Sequence, residues 1–292
     1  AAAFQSNPET GPDEKAAPDK YLIAPAHGFI TVDSAADLYT LDLRNSKLCG
    51  LNISATLNLK EGRQDTFLNL FTESSSPPLF EKVLPCLGFD NALLDGNIHL
   101  DVNLRGGGGG WQSGNADLYS DGGYIHRLSF LSKLFRVVNL RDLLPGAKLP
   151  DFSETGFSYS KIDLDGRVEN NHLYIEKAFI DGEGLNLFGQ GTVNMTDWSA
   201  DLTIMVAPLK TVDAVITKIP LLGKVVGGAD KAVISIPAAV KGNLRDPRVT
   251  ILPPEAIGEG LLNLVRNTLK MPFMILSPLL FEGGEKEKHP NP

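Results

Sequence analysis

The chain has 292 residues, a hydrophobic fraction of 42% and a formal net charge of -8. This length is ample for a sizeable core, in one large β-domain or two ordinary domains. The acidic balance, without any Lys/Arg cluster, argues against a nucleic-acid-binding protein and against a polybasic membrane anchor. No run reaches the roughly 20 apolar residues that a membrane-spanning helix requires.

The two ends of the chain lack the pattern of a packed structure. Residues 6–15 crowd Ser, Asn, Pro, Glu, Gly and Asp with almost no apolar side chain, and we predict a disordered lead or linker over residues 1–27. Residues 283–292 predict a disordered, mixed-charge tail. The chain starts with three alanines, without an initiator Met or a recognisable signal peptide. We therefore expect a processed protein or an excised fragment, with any membrane anchor lying upstream.

Strand periodicity dominates the interior. Apolar and polar side chains alternate along 51–59 and 98–104, which predicts strands with one apolar and one wet face. Residues 157–207 predict a meander of adjacent strands with one apolar face and an opposite face rich in Asp, Asn, Thr and Gln. Further strands are predicted at 232–242 and 247–252. The 29 Gly and 19 Pro supply the turn residues between such strands, including a hairpin turn at 121–123.

Helical periodicity interrupts the strands at a few places. Residues 79–87 fit a short helix carrying Cys86, and 128–144 and 211–219 predict amphipathic helices that end at Pro-containing turns. Residues 255–281 predict an amphipathic helix followed by an apolar end that Pro272 and Pro278 break. Two alternatives fit this pattern. The segment contacts a membrane surface or caps a binding groove, or it is a helix packed on the sheet.

Few residues of the sequence are candidates for catalysis or metal binding. The five His lack metal-ligand spacing, and neither a nucleophile motif nor a phosphate-binding loop is present. The glycines at 106–110 are followed by Trp-Gln rather than Lys-Ser, so a flexible loop is expected. Asp163 and Asp165 share one strand face and are expected to be ordinary solvent-facing residues. We predict no catalytic residue, no metal and no cofactor.

The only two cysteines, Cys49 and Cys86, have two interpretations. Two buried free thiols are common in any core. In a chain that we expect to be exported, an isolated pair also suits a single disulfide. We hypothesise this disulfide, which would tie the first strand region to the apolar segment at 79–87.

Several local stretches, taken in order, resemble one known family. They are residues 47–50 with 85–88, 122–125 with 138–140, 156–159, 205–209 with 219–223, and 240–244 with 246–249. Their order along the chain is similar to that of AsmA-like proteins, the superfamily that includes TamB and YhdP, in a subtype of Gram-negative, deltaproteobacterial-type envelope proteins. The resemblance covers most of residues 28–281.

The resemblance implies a mainly β fold, a long curved antiparallel sheet with an apolar groove and a few short helices. It implies a β-groove domain at 28–252, followed by an amphipathic C-terminal helix segment at 253–282. Family members are anchored in the inner membrane, project into the periplasm and are implicated in phospholipid transport between the two membranes. We expect the anchor and the long upstream sheet of the family to lie outside these residues, so a complete conduit does not follow from them.

We therefore expect phospholipid acyl chains as the ligand, on the apolar phase of the meander. The expected lipid-binding residues are Ile162, Leu164, Leu173, Ile175, Leu185, Leu187, Leu202 and Ile204. The pattern does not decide whether this face is open or is covered by helices to form a closed core. Two rival functions stay open: a scaffold that binds other envelope proteins during outer-membrane assembly, and an envelope hydrolase, against which the missing nucleophile–base pair argues.

Overall fold

The computed structural model describes residues 27–33, 37–60, 62–87, 94–126, 129–138, 156–208, 233–244, 246–269 and 273–275. They form fifteen strands, three helices and one 3₁₀ turn. The strands are β1 (His27–Asp33), β2 (Leu38–Leu48), β3 (Leu51–Lys60), β4 (Arg63–Phe71), β5 (Leu94–Gly96), β6 (His99–Gly107), β7 (Gly110–Ser120), β8 (Gly123–Ile125), β9 (Phe157–Glu169), β10 (His172–Gly182), β11 (Leu185–Asn194), β12 (Ser199–Pro208), β13 (Val233–Asn243), β14 (Arg248–Ile251) and β15 (Phe273–Ile275). The helices are α1 (Phe80–Cys86), α2 (Ser129–Val138) and α3 (Glu259–Leu269), and the 3₁₀ turn is Pro254–Ala256.

One long sheet contains these strands. Its order is β1-β2-β3-β4-β6-β7-β9-β10-β11-β12-β13-β14, with antiparallel neighbours throughout. The short strands β5 and β8 pair with each other, β8 also pairs with β9, and β15 pairs with β13 in parallel. Within the described strands, β1 and β14 each have one neighbour, so the sheet is open. The prediction of a mainly β, long antiparallel sheet with a few short helices is confirmed.

The period-two pattern produces this sheet because apolar and polar residues point to opposite faces of each strand. The pairing register aligns the apolar residues of neighbouring strands in rows. One face, which we call the apolar face, carries mainly aliphatic residues. Among them are Leu43, Leu68, Leu104, Leu118, Leu164, Leu187, Ile204 and Val240. The opposite face, the polar face, carries mainly polar residues, such as Asp42, Thr56, Asn69, Asn103, Asp117, Asp163 and Asp201.

Two helices cover parts of the apolar face. The predicted stripe of α2, Leu131, Leu134 and Phe135, is buried in one core with apolar-face residues of β9, β11, β12 and β13. The predicted short helix α1 buries Phe80 and Val83 in a second core, together with Leu51 and Ile98. Both helices are confirmed, although residue 128 and residues 139–144 of the predicted second one lie outside the described residues.

The polar face is not polar throughout, and here the prediction of a meander with a single apolar face is wrong. At β11 and β12 it carries Phe188 and Met205, which α3 covers with its buried side chains Leu261 and Val265. Residues 185–189 of β11 are consequently all buried. Both faces are apolar there, so the sheet is sandwiched between helices at this end.

The C-terminal segment also departs from its prediction. The helix ends at Leu269, and within the apolar end that follows it Phe273–Ile275 is a strand, which the sequence had not predicted. The packing of α3 on the sheet matches the second of the two alternatives that the sequence left open. Among the described helices, none has the length and apolarity needed to cross a membrane.

Two turn predictions are wrong as well. The strand after the turn at 121–123 is β8, which pairs with β5 and β9 instead of forming a hairpin with β7. The glycine run is a tight turn between β6 and β7, not a flexible loop. A Cβ on Gly106 would lie 2.4 Å from the carbonyl oxygen of Gly110, and one on Gly107 would lie 2.3 Å from that of Gln64. Close backbone approach therefore requires these glycines.

Several other predictions fall outside the described residues. They are the helix at 211–219, the lead up to residue 26 and the tail at 283–292. Residue 27, the last of the predicted lead, belongs to β1. In the structure Cys49 and Cys86 are joined as a disulfide, with their Cα atoms 5.6 Å apart, which ties the turn between β2 and β3 to the end of α1.

Candidate functional site

The apolar face is uncovered at its N-terminal end. Five apolar side chains of β1–β3 are highly exposed: Ile30 at 76%, Val32 at 56%, Tyr39 at 50%, Leu41 at 47% and Leu59 at 42%. The register places Ile30 beside Leu41, and Val32 beside Tyr39, which in turn lies beside Leu59. These side chains therefore form two adjacent rows, which we call the N-terminal apolar patch. Contiguous exposed apolar surface of this kind marks an interaction site.

The patch continues into half-buried aliphatic residues of the same face. Among these are Leu43, Leu68, Ala116, Leu164, Leu173, Ile175 and Leu202. Glycines on neighbouring strands leave room for the larger of them. A Cβ on Gly166 would lie 2.7 Å from a methyl carbon of Leu173, and one on Gly191 would lie 3.0 Å from a methyl carbon of Leu202. The two leucine side chains therefore pack over glycines, so they protrude less from this strip of the apolar face.

The eight residues predicted to bind lipid all lie on the apolar face but divide into two sets. Leu164, Leu173, Ile175 and Leu202 are half-buried. The other four, Ile162, Leu185, Leu187 and Ile204, are at most 8% exposed and belong to the core that α2 closes. In the structure as described, only the first set is accessible to a ligand.

Sequence reasoning missed the N-terminal apolar patch. The signal is present in the sequence, because Ile30 and Val32, and likewise Tyr39 and Leu41, alternate with polar residues at period two. The sequence favours the meander as the site because it is a long one-sided apolar sheet that two short helices would not fully cover. Alternation assigns these side chains to one face of the sheet, but it does not show which part of that face the helices cover.

The polar face carries ion pairs. Lys177 Nζ donates to Asp163 Oδ1 at 2.7 Å and to Asp165 Oδ2 at 3.1 Å, and Lys161 Nζ lies 2.8 Å from Asp163 Oδ2. Burial acts to raise the pKa of Asp163, but hydrogen bonds from the two lysines outweigh it and leave the pKa below its usual value. For Lys177, burial acts to lower the pKa, but the hydrogen bonds that it donates to Asp163 and Asp165 leave its pKa raised.

These pairs give a pH-dependent contribution to stability. Asp163→Asn is expected to lower the free energy of unfolding by about 1 kcal/mol at pH 7, since it removes the charge that two lysines share. A depressed carboxyl pKa stabilises the fold above the unfolded pKa of about 4, and this contribution is lost as the pH falls through the folded value. Urea unfolding at pH 7 and pH 3 should therefore show the difference shrinking in acid.

Asp201→Asn is the matched control for this experiment. Asp201 pairs with Lys241 on the same face, but their side chains are 66% and 60% exposed, so the expected change is below about 0.5 kcal/mol. An equal loss for Asp163→Asn at both pH values would contradict the assignment.

Histidines and metal ligands do not converge in the described part of the chain. His172 Nδ1 lies 2.8 Å from the carbonyl oxygen of Asn170, and His126 Nε2 lies 2.8 Å from Asp95 Oδ2. No group of three or more His, Cys, Asp or Glu side chains among the described residues has the geometry to hold a metal ion.

Three cavities open on the polar face, which the sequence does not indicate. Their volumes are about 340, 520 and 500 Å³. The first and second share Asn69, the first and third share Ser54 and Thr56, and the second and third share Phe71. They form one continuous depression across β2–β9, which we call the polar groove.

Comparison with known proteins adds the family. A model of the family described as YhdP protein matches residues 32–249, well over half of the chain. No curated protein and no solved structure matches the chain. The matched region contains β2–β13, α1 and α2, and therefore most of the sheet. The chain therefore belongs to the YhdP family, a branch of the AsmA/TamB/YhdP group of cell-envelope proteins.

Proposed function

We propose that this protein is a non-enzymatic lipid-binding module of the periplasm, part of an inner-membrane-anchored envelope protein. It holds phospholipid acyl chains on the N-terminal apolar patch and on the half-buried strip that continues it. In that role it supports phospholipid transport between the inner and outer membranes and outer-membrane homeostasis. The observation that carries the proposal is the exposure of aligned apolar rows on β1–β3.

The physical basis is apolar burial without hydrogen bonding. Each methylene removed from water contributes about 0.8 kcal/mol, so part of one acyl chain already supplies useful affinity. Strands are about 4.8 Å apart, so a chain lying across β1–β4 meets a new strand at each such step. The leucines packed over Gly166 and Gly191 continue this apolar surface toward β12.

The proposal includes no catalytic role. The carboxylates that a hydrolase would use as acid and base are occupied on the polar face, where Lys177 contacts both Asp163 and Asp165. The acyl chains lie on the opposite face of the sheet. The proposal therefore gives no residue of either face the role of a nucleophile.

Ile30→Asp tests the proposal. Ile30 is 76% exposed, so the substitution is expected to leave folding unchanged, whereas a charge on the patch repels acyl chains because desolvating it is costly. We expect the amount of phospholipid in organic extracts of gently purified protein, measured by mass spectrometry, to fall about tenfold.

Thr31→Asp is the matched control. It adds the same charge to the next residue of β1, which is exposed on the polar face, and should leave bound lipid unchanged. Equal loss in both variants would show a general charge effect. Full retention of lipid in Ile30→Asp would remove the patch from the site.

A scaffold for the assembly of outer-membrane proteins is the alternative. An exposed apolar patch also suits a protein partner. Extracts without lipid, combined with capture of another envelope protein that Ile30→Asp abolishes, would favour it over lipid transport.

A further inference from the structure

The polar groove contains exposed aromatic side chains among hydrogen-bonding groups. Phe67 is 41% exposed, Phe71 38% and Tyr119 40%, although all three lie on the polar face of the sheet. Large aromatic side chains at solvated positions of a paired sheet contribute little to a core. They are typical of contact surfaces, where a flat ring meets a ligand.

Phe71 holds the central position in the groove. It lines both the cavity of about 520 Å³ and the cavity of about 500 Å³. Across the strands its neighbours are Asn52 on β3 and Asp101 on β6. Arg105 lies over the ring of Phe67 at 5.0 Å and Lys161 over that of Tyr119 at 5.4 Å, whereas no ring or cation partner is found for Phe71 among the described residues. Its ring is therefore available to a ligand.

The charges of the groove exclude an anionic ligand. Two cations line the three cavities, and both are occupied: Arg44 pairs with Asp42, and Arg105 lies 3.4 Å from Asp65. The remaining ionic groups, such as Asp101 and Asp117, are carboxylates that accept hydrogen bonds from asparagines. A phosphate or a nucleic acid would meet repulsion here.

The backbone excludes an added peptide strand. β3, β4, β6 and β7 are each paired on both sides, so their main-chain groups are already used. Recognition must come from the side chains, which offer carboxylates, amides and hydroxyls around a free aromatic ring. This combination suits a polyhydroxylated ring, whose hydroxyls donate to carboxylates and whose C–H face packs on an aromatic ring.

We propose that the polar groove binds an uncharged glycan chain, with a sugar ring stacked on Phe71 and neighbouring sugars in the cavities on either side. Asp101 accepts hydrogen bonds from the hydroxyls of the stacked sugar, and the amide of Asn52 donates hydrogen bonds to them. The site lies on the opposite face from the acyl chains, so it is independent of the proposed lipid binding. Two adjoining cavities of this size suit several linked sugars rather than one.

Calorimetric titration of the full chain with maltohexaose, cellohexaose and chitohexaose tests this site. We expect at least one of them to bind, and Phe71→Ala to weaken it by about tenfold. Tyr39→Ala is the matched control, since Tyr39 is an aromatic residue of 50% exposure on the opposite face, and should leave glycan binding unchanged. Asp101→Asn, at an exposed position, provides a second variant that keeps the side-chain shape and should also weaken binding.

Three results would overturn the proposal. The first is no binding of any of the three hexasaccharides up to about 10 mM. The second is equal binding by the wild type, Phe71→Ala and Asp101→Asn. The third is tighter binding of a sulfated hexasaccharide than of the uncharged ones, which would contradict the charge argument.

Discussion

Leu187→Asp is expected to prevent folding. Leu187 is 4% exposed in the core that α2 closes, between Ile180 on β10 and Val206 on β12. The substitution removes a buried aliphatic side chain and places an unpaired carboxylate there, a combination that costs more than about 4 kcal/mol. Since domains are stable by only about 5–15 kcal/mol, we expect aggregated or unfolded protein, measured by solubility, circular dichroism and thermal unfolding.

Two milder variants keep this prediction decisive. Leu187→Ala leaves a cavity without a charge and should cost about 2–5 kcal/mol in urea unfolding, whereas Leu173→Ala, at a half-buried position, should cost clearly less. If Leu187→Asp folds normally, residue 187 is not in a closed core. The apolar face would then be accessible below α2, as the sequence allowed.

Loss of the disulfide is expected to have the second largest effect. Cys49 and Cys86 are 37 residues apart, and in the chain-entropy model closing such a loop stabilises the fold by about 3–4 kcal/mol. The double variant Cys49→Ser, Cys86→Ser should therefore unfold roughly 10 °C lower. Helix α1 has only seven residues, so hydrogen exchange should show the largest loss of protection there.

The wild type under reducing conditions is the internal comparison. A reductant should lower its unfolding temperature to that of the double variant and leave the variant unchanged. Two free thiols in the denatured, unreduced protein would contradict the bond. So would an unfolding temperature of the wild type that does not respond to reductant.

The sequence by itself determined many of the strands and most of the helix stripes, although β4 and β5 were not among the predicted strands. The side-chain alternation of a strand is local, so β3, β6 and β9–β12 could be located from apolar residues two apart. The stripe Leu131, Leu134 and Phe135 of α2 follows in the same way from its three- and four-residue steps. The family resemblance then supplied the long open sheet, which periodicity does not specify.

Only the tertiary structure decided which parts of the apolar face are open. Leu173 and Leu187 both belong to the apolar side of their strands. Leu173 is half-buried, whereas Leu187 is in the core, because α2 covers the part of the apolar face that contains Leu187. Likewise, Phe188 and Met205 lie on the face predicted to be polar, and their burial depends on α3, more than fifty residues later in the chain. Periodicity assigns a side chain to a face, but what covers that face depends on packing between segments that are distant in sequence.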